Sequence, residues 1–225
     1  SYVYVVALYM DNTNLATLKV GETTNVNLWL QWSDSSQESC TWCGDSTSNS
    51  SIATIGGTSA TRTIEGVGGG IAYVQALSWE IINSQGSQGW IFSLQKEIKV
   101  RVPYRIIEAG VVEQGAATCP SGQAGWSKQV VLQLLDNFGA AYQVAGITVA
   151  DVITIQTPNP LNVAGTQTGS GSTSSDGAWL DGYYVCSPNC PTSGVAEAIQ
   201  TWTYNGISLP RHNYITYGCS GITIP

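Results

Sequence analysis

Charged side chains are scarce in this chain. Asp, Glu, Lys and Arg make up 10% of its 225 residues, against roughly 25% in an ordinary soluble domain. Lys and Arg together number 8, no two of them adjacent, and the formal net charge is −7. A nucleic-acid partner requires a patch of phosphate-neutralising cations, and an anionic membrane surface requires the same, so neither is expected. Histidine is nearly absent. The single one, His212, lies beside Arg211 in what reads as a strand-leading turn, and no Gly-x-Ser-x-Gly accompanies it. The 15 acidic residues are expected mostly in turns and form no recognisable glycosidase pair. No catalytic residue is therefore assigned, and the chain is expected not to be an enzyme. No apolar run approaches the ~20 residues of a transmembrane helix, so membrane insertion is not expected either. Helical patterning is also missing, since no window keeps an i, i+3, i+4, i+7 apolar stripe over three turns.

What replaces charge is Gly, Ser, Thr, Asn and Gln, beside a hydrophobic content of 43% that is enough for a core. Strand patterns recur. Residues 24–32 (TNVNLWLQW) alternate polar and apolar, with Trp29 and Trp32 out of phase, so at most one of them faces a core. Residues 71–82 and 90–102 flank the Gly/Ser/Gln-rich stretch 83–89 and predict a hairpin of two long strands. Residues 129–135 lead into the turn Asp136-Asn137-Phe138-Gly139. Asn205-Gly206 between residues 198–204 and 207–209 favours a type I′ hairpin, and 212–217 reads as a further strand. Residues 164–176 read as a long surface loop. Pro103 cannot donate to a ladder and marks a boundary. The fold class expected is all-β, with two β-sandwich (Ig-like) domains in tandem over 1–103 and 104–225.

The chain opens on ten nearly unbroken apolar residues, Ser1 to Met10. The stretch is too short to span a bilayer and lacks the cationic start of a signal peptide, so Ser1 is expected to be a processed terminus. Val and Tyr dominate, which favours a strand, but both of its faces are apolar and each needs cover. Tyr2, Val3, Tyr4, Val5, Val6 and Leu8 are thus candidates for an assembly strand that completes the sheet of a neighbouring copy. The other expectation is that they form the first strand of their own domain.

Six cysteines accompany this composition, an even count that fits an oxidising compartment. Cys40 with Cys43, and Cys186 with Cys190, are close enough to close small loops. Cys119 with Cys219 would then staple the second half, a closure worth roughly 4 kcal/mol in the chain-entropy picture. The alternatives are a four-thiolate zinc site from Cys40, Cys43, Cys186 and Cys190, or a redox Cys40–Cys43 pair. The first would join the two expected domains, and the second lacks a helix N-terminus to lower a thiol pKa. Asp11-Asn12-Thr13-Asn14 and the stretch Asp176–Asp181 offer oxygen ligands for calcium without EF-hand spacing. No metal or cofactor is assigned.

Residues 3–102 resemble bacterial Ig-like domains of group 2. The resemblance rests on Leu18-Lys19-Val20-Gly21-Glu22-Thr23-Thr24 ahead of an alternating strand, on Ser51-Ile52-Ala53-Thr54-Ile55, and on residues 65–74 (EGVGGGIAYV). In that family the matching elements are a V-G-E-T turn before the second strand, an S-x-A-T-V stretch and a G-x-x-x-G-x-A-x-V run. The chain departs from it between Trp32 and Ser51, where the cysteine-bearing insertion sits, and in its longer final hairpin. The resemblance implies a seven-stranded sandwich with a structural or adhesive role and brings no catalytic residue.

Eight Trp and eleven Tyr stand against two Phe. Rings with polar tips suit interfaces and sugar-stacking platforms, and Trp42, Trp90 and Trp179 are the candidates for exposed platforms. Asn49-Ser50-Ser51 is an N-glycosylation sequon. Together these features point to a secreted or cell-surface structural protein that assembles with copies of itself into a layer or pilus-like filament, with a glycan-binding adhesion module as the alternative.

Overall fold

The computed structural model describes residues 1–11, 17–116, 123–146, 148–155, 170–172, 174–188, 194–204, 207–218 and 221–223. Strands, turns and bends make up the described residues and none is helical. The chain divides into two compact units, Ser1–Val102 and Pro103–Pro225.

In the first unit the strands are β1 (Val5–Met10), β2 (Thr17–Lys19), β3 (Thr23–Trp32), β4 (Gln37–Ser39), β5 (Gly44–Thr47), β6 (Ala53–Gly56), β7 (Thr61–Gly66), β8 (Gly70–Ile81), β9 (Gln88–Phe92) and β10 (Lys96–Arg101). One sheet has the order β1-β3-β7-β6, with β4 also on β3. The other has the order β2-β10-β8-β5, with β9 also on β8. β2 joins β10 in parallel, and the other pairings of this unit are antiparallel. Alternation puts Val26, Leu28 and Leu30 of β3 and Ala72, Val74 and Ala76 of β8 inward, all fully buried and packed with Ile64, Ile98 and Val100 into one core. Trp32 shares the phase of Leu30 and packs against this core, whereas Trp29 takes the other face and donates its Nε1–H to Asp11 at 3.4 Å.

The apolar opening is accommodated by an irregularity. The β1–β3 register shifts between Val5 and Ala7, and a one-residue shift moves the following side chains to the other face. Val5 on one side of the shift and Leu8 and Met10 on the other are thereby all buried, while Val6 is 48% exposed. The strand ends at Asp11, whose carboxylate accepts hydrogen bonds from Asn27 N (2.7 Å) and Asn27 Nδ2 (2.9 Å). Partial burial opposes its ionisation, but the bonds from Asn27 and Trp29 prevail and hold its pKa below the usual carboxylate value.

The stretch 90–102 is two strands rather than the single strand its pattern predicts. Ser93 interrupts it. Its backbone N–H donates to Ala76 O at 2.9 Å while its Oγ accepts from Ala76 N at 3.0 Å. Two residues, Ser93 and Leu94, thus occupy a place on β8 meant for one, and the ladder resumes one residue out of step at Lys96.

In the second unit the strands are β11 (Pro103–Ala116), β12 (Gln123–Asp136), β13 (Thr148–Ile155), β14 (Ser170–Ser172), β15 (Ala178–Pro188), β16 (Gly194–Tyr204), β17 (Ile207–Gly218) and β18 (Gly221–Thr223). They form a sheet β11-β12-β15 and a sheet β14-β13-β16-β17-β18. Leu132, Leu134 and Tyr142 are its buried centre, with Ile106, Val144, Trp179 and Leu209 packed around them. The expected turn after β12 forms. Asp136 Oδ1 accepts from Phe138 N (2.8 Å) and Ala140 N (2.9 Å), and Gly139 takes φ +84°. Gly177, at φ +77°, has Tyr142 O only 2.1 Å from where a Cβ would stand, so no other residue fits there.

Three expectations change here. The stretch 207–218 is one strand, not two, and it carries His212 opposite Ile199 within the ladder rather than in a turn. Residues 170–172 of the expected surface loop form β14 on β13. Trp179 is no exposed platform, because it packs against the second core with its Nε1 buried.

Candidate functional site

The outer face of β8 and β9 holds the most conspicuous chemistry. On β8 the inward positions are Ala72, Val74, Ala76 and Ser78, so Ile71, Tyr73, Leu77 and Trp79 point outward. The register sets Trp79 opposite Trp90 and Leu77 opposite Phe92. The two indoles meet edge to face at 5.4 Å between ring centres, and Trp90 lies 6.5 Å from Phe92. Trp79 is 52% exposed, Trp90 55%, Phe92 53% and Leu94, thrust out where the ladder shifts, 85%. Such cross-strand aromatic pairs stabilise a sheet modestly, but one ring covering another does not account for this much exposed apolar surface.

The polar groups nearby are few. Trp79 Nε1–H reaches Gln88 Oε1 at 3.5 Å, and Tyr73 Oη donates to Glu97 Oε2 at 3.4 Å. Trp42 is also 52% exposed, and its Nε1–H donates to Glu80 Oε1 at 2.7 Å, an oxygen that also accepts from Ser78 Oγ. Glu80 has the phase of the inward residues of β8, so Trp42 and Trp90 are not brought onto one face.

The assembly-strand candidates divide. Val5, Val6 and Leu8 lie in β1, paired antiparallel with β3 of the same chain, with Leu8 opposite Leu30 and Met10 opposite Leu28. Tyr2, Val3 and Tyr4 precede the strand. Tyr2 N–H donates to Ser84 O at 3.2 Å, and the Tyr2 ring sits over Gly86, whose Cβ would come within 2.7 Å of it. The N-terminal segment thus ties one sheet's edge strand to the hairpin tip of the other sheet. Among the described residues β1 has a ladder partner on one side only.

Cys40 and Cys43 are bonded to each other and buried within the first core. Their loop carries the chain from β4 in one sheet to β5 in the other. Beside it lies Arg62, inward-facing on β7 and 3% exposed. Its Nε–H donates to Asp45 Oδ2 at 2.7 Å, its Nη2 donates to Cys43 O, and its Nη1 has no partner among the described residues. The sequence pattern does not single out Arg62, Trp79, Phe92 or Leu94. The available signal for Trp79 was that residues 71–82 are apolar in both phases.

Cys119, Cys190 and Cys219 lie outside the described residues, as do Asn12, Thr13 and Asn14, and of Cys186 only its place in β15 is described. Among the described residues no group of three His, Cys, Asp or Glu is placed to hold a metal. Asp11 is occupied by Asn27 and Trp29, and Asp176 accepts from Ser174 Oγ and Ala178 N. No described helix is long and apolar enough to cross a membrane. Asn49 is exposed in the turn between β5 and β6.

No family model and no curated protein sequence matches the chain. Among solved structures, the crystal structure of domains 4 and 5 of the S-layer protein SbsC is similar over 92% of this chain and 96% of that one, at 11% identity and a TM-score of 0.29.

Proposed function

We propose that this chain is a non-enzymatic structural subunit of a cell surface that associates with further copies of itself, its aromatic β8–β9 face serving as a contact. The observation that carries this reading is the run Trp79–Trp90–Phe92–Leu94, each more than half exposed on one sheet. Large rings held by a ladder lose little side-chain freedom on contact, which suits them to an interface. A disulfide buried in the core supports an oxidising compartment.

The test is the triple change Trp79→Ser, Trp90→Ser, Leu94→Ser in the full chain. Stability is expected to fall by only about 1 kcal/mol, the worth of an exposed aromatic pair. Association, followed by sedimentation and light scattering, is expected to be lost. Unchanged association of a folded variant overturns the reading. Binding of a glycan array that disappears with Trp90→Ala, in a chain that stays monomeric, would instead favour the adhesion module, whose motivation is the exposed Trp90 ring beside Gln88.

The finer form of the proposal is that β1 can pass to a neighbouring copy and pair there as it pairs at home. Ala7 and Gln31 are register partners. With Ala7→Cys and Gln31→Cys, oxidation of assembled material is expected to give a covalent ladder of subunits on a denaturing gel. A monomer band with both new cysteines linked within one chain shows that β1 stays at home and sinks the exchange.

A further inference from the structure

We infer that Asn49 is a site of N-linked glycan attachment, and the chain's one such site. Asn49-Ser50-Ser51 is the one place in the sequence where Asn is followed two residues later by Ser or Thr with a non-proline between. The fold presents it openly, in the β5–β6 turn, where Asn49, Ser50 and Ser51 are all exposed. The side chain is also held in a defined pose. Asn49 Oδ1 accepts from Ser51 N–H at 3.0 Å and from Ser51 Oγ at 2.6 Å, an Asx turn. Asn49 O accepts from Ile52 N and Ala53 N, both at 3.1 Å, which anchors the turn to the start of β6. The side-chain bonds fall on the oxygen, and Nδ2 has no partner among the described residues. The sequon's amide and its Ser51 hydroxyl are thus presented together on one exposed turn.

The step balances with one co-substrate, a sugar carried on a polyprenyl diphosphate. Nδ2 forms a bond to the anomeric carbon, the carbon–oxygen bond to the diphosphate breaks, the diphosphate departs with the electron pair, and the Nδ2 proton passes to a base of the transferase. The position gives the modification a physical consequence. β5 and β6 are edge strands of the two sheets of the first unit, and exposed sheet edges invite unwanted pairing. A bulky, hydrated group at the turn joining them would obstruct it on that side and leave the β8–β9 face and β1 uncovered.

The experiment is mass spectrometry of the chain isolated from its source cells. Cleavage after Lys19 and Arg62 releases residues 20–62 with Asn49 inside. The expected result is a single glycan mass on Asn49 and an intact mass showing no second N-linked chain. An unmodified Asn49, or a sugar on a Ser or Thr of the same peptide in its place, overturns the inference. Expressed in the same cells, Ser51→Ala is expected to lose the glycan completely while keeping its far-UV circular dichroism, because the Ser51 N–H bond remains. Ser51→Thr is expected to keep the glycan. Retention of the full glycan mass by Ser51→Ala overturns the inference as well.

Discussion

Removing residues 1–10 is expected to abolish cooperative folding of the first unit. Val5, Leu8 and Met10 are each less than 5% exposed, and burial of three such side chains is worth roughly 5–9 kcal/mol, comparable to the whole stability of a small domain, about 5–15 kcal/mol. Their loss also uncovers Leu28 and Leu30, which are fully buried and lie opposite Met10 and Leu8. The freed chain entropy of the deleted strand offsets part of this but restores none of the ladder bonds of β3. The measurement is denaturant unfolding followed by tryptophan fluorescence and amide hydrogen exchange of β3. A synthetic peptide of residues 1–10, added in excess, is expected to restore protection of β3, because an edge strand needs only its ladder and its pockets to dock. The same peptide is expected to stop growth of an assembly that relies on strand exchange. A truncated chain that unfolds at the original midpoint would show that β1 is dispensable.

Arg62→Ala is the second large effect. Arg62 crosses the sandwich, from β7 in one sheet to Asp45 of β5 and the carbonyl of Cys43 in the other. Breaking a buried pair by removing one partner typically costs about 3–5 kcal/mol. Asp45 keeps some contact with solvent, at 18% exposure, so the lower end, about 3 kcal/mol, is expected here. Arg62→Met keeps the apolar stem in the core and is expected to lose about half as much. Combined with Asp45→Asn it should lose no more than Arg62→Met alone, since the carboxylate then has no cation to serve. A cycle of these variants in chemical denaturation measures the coupling. Additive losses would mean that the ion pair contributes nothing and that Arg62 acts through packing alone.

Part of this was legible in the chain. The polar–apolar alternation of 24–32 predicts β3 to within a residue, because a half-buried strand writes its burial into its period. The turn at 136–139 was equally plain, since Asp and Gly there have local work to do. The stretch 90–102 was not, because the bulge at Ser93 depends on Ala76, a residue 17 positions away. His212, expected in a turn beside Arg211, lies in a strand for a related reason, since its place opposite Ile199 is set by the pairing of two strands. Trp42, Trp90 and Trp179 look alike as letters, yet the fold exposes the first two and buries most of the third.

The sequence by itself determined the all-β class, the scarcity of charge, the phase of the long core strands and the sequon at Asn49. These follow from composition and from local periods of two. Tertiary structure alone decided that Trp79, Trp90 and Phe92 share a face, that Arg62 finds Asp45, and that Val5 and Leu8 are buried together through a register shift. The reason is that each depends on register between strands distant in the chain. A shift of one residue there exchanges the two faces of a strand, and no single strand carries the information that sets it.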